Sequence, residues 1–131
     1  LYGLGLLSEA LLERASILYI WVSPEESRRK NTVRADPDDP GSELHHGVPL
    51  SVMLGDYGCD DIQWLIDTAP VPGTIAIHAG GRRFDLAIAR FDNQQDRTTF
   101  LRDEPQDWDP DQVGALHAGL ASCMEHLVRG S

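Results

Sequence analysis

The chain is poor in lysine, cysteine and long apolar runs, and each shortage excludes something. Of its eleven basic residues only Lys30 is a lysine; the rest are arginines. Cys59 and Cys123 are the only two thiols. Two cysteines so far apart do not build a disulfide framework, so a reducing cytoplasm is the expected compartment. No stretch approaches the roughly 18–20 uninterrupted apolar residues that a membrane span requires. The richest segments, 4–12 and 17–22, are short and are broken by Ser8, Glu9, Glu13 and Arg14. Neither an initiator Met nor a basic leader with a small-residue cleavage site opens the sequence. We expect it to begin partway into its natural polypeptide. Internal repeats and low-complexity tracts are also absent.

What is plentiful is negative charge. The 131 residues carry 21 acidic against 11 basic side chains, a net charge of −10. Such a field repels nucleic acid and anionic membrane and draws cationic partners inward; it also simply keeps a small protein soluble. The 41% apolar and 24% charged composition is that of an ordinary globular chain, long enough for one core. One domain spanning residues 1–131 is therefore expected.

Ser8 is placed to cap a helix with the apolar stripe Leu7, Ala10, Leu11, Ala15 and Leu18. Residues 17–22 are β-branched and aromatic, so that helix or a buried strand fits there, and the pattern leaves both open. Ser23, Pro24 and Glu26 spell a capping box and predict a helix to about Asn31, with Arg28, Arg29 and Lys30 in its last turn. Residues 36–42 hold two prolines and a glycine and predict a loop. Residues 62–67 fit a strand, yet Asp61, Ile62, Leu65, Ile66 and Ala69 equally fit a helix capped by Asp60. Residues 74–78 predict a strand, and Gly80-Gly81 closes a hairpin into 84–91. There Phe84, Leu86, Ile88 and Arg90 share one face, and Asp85, Ala87, Ala89 and Phe91 the other. Residues 97–101 are read as a last strand. Asp109, Pro110 and Gln112 repeat the cap logic, and Val113, Leu116, Leu120, Met124 and Leu127 form the stripe of a closing amphipathic helix to about Val128.

Candidate chemistry is thin. His45, His46, Cys59 and Asp61 are metal-capable types, but they lack the compact C-x2-C and H-x3-H spacings of structural zinc. Cys59 lacks a reactive-cysteine signature and reads as a core residue. On the last helix Cys123 and His126 share a side, one packing and the other facing water. The Gly80-Gly81-Arg82-Arg83 run lacks phosphate-loop spacing, and positive φ alone explains its glycines. No carboxylate pair is singled out by spacing. The least ordinary feature is the stretch 92–111, with Asp92, Asp96, Asp103, Glu104, Asp107, Asp109 and Asp111 against Arg97 and Arg102. Trp108 lies within it, either as an aromatic anchor for a partner or tucked beneath the last helix.

Three stretches resemble the SUKH superfamily, especially its bacterial immunity-protein branch. They are Tyr2-Gly3-Leu4 ahead of Leu7 and Ala10-Leu11; Asp56-Tyr57-Gly58-Cys59-Asp60 followed by Trp64 to Pro70 and Gly73-Thr74-Ile75; and Trp108-Asp109-Pro110 entering the final helix. The resemblance implies a mostly antiparallel sheet flanked by helices and favours the strand reading of 62–67. It departs from the family pattern in lacking the expected upstream helices and Leu-Pro motif, and in the length of 82–101. It implies binding rather than catalysis: bacterial members neutralise toxins, often nucleases, and fungal relatives are interaction hubs.

These readings combine into one expectation, an α+β domain with a C-terminal amphipathic helix and no catalytic residues, cofactor or metal. It would bind a cationic protein, such as a toxin or nuclease domain, and neither nucleic acid nor membrane. The expected contact residues are Asp92, Asp96, Asp103, Glu104, Asp107 and Trp108. Two alternatives stay open, a small metal or cysteine enzyme using His45, His46 and Cys59, and a structural subunit of a larger assembly.

Overall fold

A computed structural model describes residues 2–34, 48–55 and 59–129. The α+β class is what it shows. Two short helical turns, α1 (Tyr2–Gly5) and α2 (Glu9–Leu12), lead into strand β1 (Ile17–Trp21) and helix α3 (Pro24–Arg34). Helices α4 (Leu50–Gly55) and α5 (Asp61–Thr68) precede the hairpin β2 (Thr74–Ala79) and β3 (Arg82–Asp92). Two 3-10 turns, Thr99–Arg102 and Pro105–Asp107, then connect to the long helix α6 (Pro110–Arg129). Among the described residues no helix is long and apolar enough to cross a membrane.

The sheet is mixed, in the order β1-β3-β2. β2 runs antiparallel to β3, with Thr74 opposite Ala87 and Ala79 opposite Arg82. Between them Gly80 and Gly81 take φ values of 57° and 79°, the pair of positive angles that a two-residue type I′ turn demands. β1 runs parallel to β3, from Ile17 beside Ile88 to Trp21 beside Asp92.

Alternation along β3 builds a core on each face of the sheet. On one face Phe84, Leu86 and Ile88 pack with Ile75, Ile77, Leu12 and Leu65. On the other, Ala87, Ala89 and Phe91 meet Cys123 and Leu127, with Leu116 and Leu120 alongside. Small residues bring α6 close here: a Cβ on Gly119 would sit 2.7 Å from the Phe91 ring. The stripe of α6 is consequently rotated from the sequence expectation. Cys123 lies inside it, whereas Val113 is 37% and Met124 51% exposed.

Three expectations are settled or corrected. Residues 17–21 are strand, so the first helix stops at Leu12. Residues 61–68 are helix, so the strand favoured by the resemblance does not form; within 62–91 strand begins at Thr74. The Asp60 side chain accepts the Gln63 N–H at 2.9 Å as the N-cap of α5, and one short amphipathic stripe buries Leu65. Residues 97–101 are not a strand either. Thr99–Arg102 forms a 3-10 turn, and Asn93 and Asp96 take the N–H groups of Arg97 and Thr99, which are then not available to a ladder. Half of the box at Ser23 forms: the Glu26 N–H donates to Ser23 Oγ at 3.2 Å, but the Ser23 N–H donates to Gln94 at 2.7 Å and the Glu26 carboxylate binds Arg29 instead. The loop expected at 36–42, the residues Asp56, Tyr57 and Gly58, and the His45-His46 pair lie outside the described residues.

Candidate functional site

The acidic connection between β3 and α6 folds as two locally braced turns. In the first, Asn93 is buried and holds both ends, its side chain donating to Thr98 Oγ1 at 3.0 Å and accepting the Arg97 N–H at 2.7 Å. Asp96 sits in the left-handed region at φ 51°, accepts from Thr99 Oγ1 at 2.6 Å and pairs with Lys30 at 3.4 Å. Burial pushes its carboxyl up, but the Thr99 hydrogen bond and the Lys30 charge outweigh this and hold it below the ordinary aspartate value. Asp96 is thus engaged inside the fold, while Asp92 stays exposed and accepts the Gln94 N–H at 2.9 Å.

In the second turn the half-buried Trp108 donates its indole N–H to the Asp103 carbonyl at 2.9 Å and stands edge-on to Phe100 at 5.9 Å. The indole fixes the shape of its own loop. Around it Asp103, Glu104 and Asp107 are all exposed, and none has an ion-pair partner among the described residues. Asp109 accepts the Asp111 N–H at 2.9 Å at the start of α6. The structure therefore brings Asp103, Glu104, Asp107 and Trp108 together on one turn, and places Asp92 and Asp96 on the preceding one.

The enzyme alternative gains little from the geometry. Cys59 is exposed rather than packed in the core, and Asp61 is exposed in the first turn of α5. No group of three or more His, Cys, Asp or Glu side chains suited to a metal occurs among the described residues. A cleft of about 290 Å³ between β3 and α6 is lined by Ala89, Arg90, Ser122, Cys123 and His126. Burial pushes the Cys123 thiol above its ordinary value, which disfavours the thiolate.

Two features escaped the sequence reading. One is a polar latch at the end of β1. Tyr19 Oη and Trp21 Nε1 donate to the two carboxylate oxygens of Asp60, at 2.8 and 2.9 Å. Arg90 lies over the Trp21 ring at 4.8 Å and donates to Gln63 at 2.7 Å. Burial, then the Asp60 hydrogen bond and charge, push the Tyr19 hydroxyl well above its ordinary value. The latch satisfies its own donors and acceptors, so it positions α5 against β1 rather than waiting for a ligand.

The other is an apolar flank. Leu18 is 37% and Ile20 55% exposed, on the same side of β1 as α6. Trp64, on the outer side of α5, is 59% exposed. No alternation of polarity signals the first, because residues 17–21 are apolar or aromatic throughout. The helix reading of 61–68 was the signal for the second.

No protein-family model, curated protein or solved structure matches the chain. The likeness to the SUKH superfamily rests on the short motifs alone. Of these, Trp64 to Thr68 are helical.

Proposed function

We propose that this chain is a non-catalytic protein-binding domain whose acidic connection contacts a cationic partner. The observation that carries this reading is the turn around Trp108. Three carboxylates stand exposed on a loop braced from within, and a charged loop already in shape loses less entropy when a partner docks. Unlike charge would speed the encounter and make it sensitive to salt. Asp103, Glu104 and Asp107 supply the contact, with Asp92 beside them. Trp108 positions the loop, and Asp96 contributes through the fold because Lys30 already holds it.

The motif resemblance supplies the class of partner. It supports an immunity protein of the SUKH type, acting in a reducing cytoplasm and neutralising a toxin with a cationic nuclease surface. The test is binding to a toxin-like protein encoded beside this chain. Asp103→Lys with Glu104→Lys should slow association at least tenfold at low ionic strength and flatten its salt dependence. An unchanged association rate at low salt would remove the acidic face from the account.

A further inference from the structure

Among the described residues β1 ends the sheet, and no strand pairs with its outer side. Trp21 accepts from the Asn93 N–H at 2.8 Å through its carbonyl, so Trp21, Tyr19 and Ile17 direct their backbone groups toward β3. Successive residues of a strand point their N–H and C=O groups to opposite sides. Leu18 and Ile20 therefore direct theirs outward, and neither has a backbone partner outside the sheet among the described residues.

Helix geometry sets an apolar trough beside this edge. A Cβ on Gly73, next to the start of β2, would meet the His126 ring at 2.9 Å. His126 thus marks the flank of α6 that overhangs β2. At about 100° per residue, the opposite flank, toward β1, carries Val113, Met124 and Val128. These are 37%, 51% and 70% exposed, as Leu18 and Ile20 are at 37% and 55%. Carboxylates mark one end of each element: Asp92 pairs with Trp21 at the end of β1, and Asp109 and Asp111 stand at the start of α6.

We propose that this edge receives one extended strand of the protein partner, with apolar side chains alternating toward the trough and Lys or Arg beside the acidic connection. The inference rests on the protein-binding reading above and names the form in which the partner binds. An added strand satisfies the outward N–H and C=O groups of Leu18 and Ile20 and covers their side chains. Charge selects a cationic segment over a second copy of this chain, which would bring another net −10.

The probe is a ten-residue peptide alternating Val and Thr, with a Lys pair at each end, titrated against the full chain. Its control carries Pro in place of two central Val residues, keeping the charge but unable to extend a ladder. The proposal expects the alternating peptide to bind at least tenfold more tightly than the control. It also expects Ile20→Pro, and separately Leu18→Lys with Ile20→Lys, to abolish that difference while the hairpin keeps its amide chemical shifts. Equal binding of the two peptides, no binding up to millimolar concentration, or unchanged binding to both edge variants would overturn it. A concentration-dependent dimer of the unmodified chain that both edge variants dissolve would also overturn it, in favour of a second copy. Loss of binding in the edge variants, with Asp103→Lys and Glu104→Lys inert at low salt, would support the added strand and sink the acidic-surface reading.

Discussion

The two outer strands of the sheet are finished in different ways. β2 is covalently tied to β3 by a two-residue turn, and four of its six residues, Thr74, Ile75, Ile77 and Ala79, are buried. On its outward side Gly5 of α1 comes so near the His78 carbonyl that a Cβ there would lie at 3.3 Å. Arg82 pins the hairpin to the neighbouring helix through Glu9 at 2.7 Å and Glu13 at 3.2 Å. β1 joins β3 without a tight turn, buries none of its five residues fully, and is secured at its end by Tyr19 and Trp21 gripping Asp60. One outer strand is buried by packing, the other held by a polar clasp, with no strand pairing its outer side among the described residues. An open edge is a liability that proteins usually blunt with charge, a bulge or a cover. Here it carries Leu18 and Ile20 instead.

Removing the packing of β2 should have the largest effect. Ile75 is fully buried, and Ile75→Ala should cost about 2–5 kcal/mol in urea unfolding. A cost under about 1 kcal/mol would mean that β2 is not the firmly held strand.

The clasp on β1 comes next. Asp60→Ala removes the α5 cap and leaves the Tyr19 hydroxyl and Trp21 indole N–H without their acceptor, a loss of about 2–3 kcal/mol from those terms together. The Trp21 indole N–H resonance should move toward its solvent-exposed position. An unshifted indole signal would show that β1 is secured by something else.

The smallest effect belongs to the turn that follows β3. Asp96→Asn should cost about 1 kcal/mol or less at neutral pH, because the Lys30 pair is partly solvated. The Asp96 carboxyl is lowered in the folded state. Its contribution is full above the ordinary aspartate value and fades as pH falls through the lowered one. The difference between the two proteins in thermal melts should therefore shrink on acidification. A gap that widens below the ordinary aspartate range would contradict the pairing.

Elements fixed by local chemistry were legible in the chain, and elements fixed by distant partners were not. Gly80-Gly81, the alternation of 84–91 and the Ser23 cap on the Glu26 N–H each state their structure within a few residues. The split of β3 into two core faces follows from alternation alone. Residues 61–68 satisfied two periodicities at once. What separates them is Asp60, whose carboxylate caps α5 while also serving Tyr19 and Trp21 from about forty positions earlier. The register of the α6 stripe was misread because the helix meets a narrow surface of alanines and Phe91. Cys123 fits that surface where Met124 does not. In the candidate site, the density of carboxylates in 92–111 was plain to read. Which of them the fold consumes was not, since Lys30 reaches Asp96 from α3. The open edge was invisible for a related reason, as strand order is a property of the whole sheet.

Amide hydrogen exchange along β1 in the free, monomeric protein tests the contrast most directly. Leu18 and Ile20 should exchange at nearly unprotected rates, while Tyr19 and, across the sheet, Ile77 exchange slowly. Protection of Leu18 and Ile20 equal to that of Ile77 would mean that the edge is already occupied.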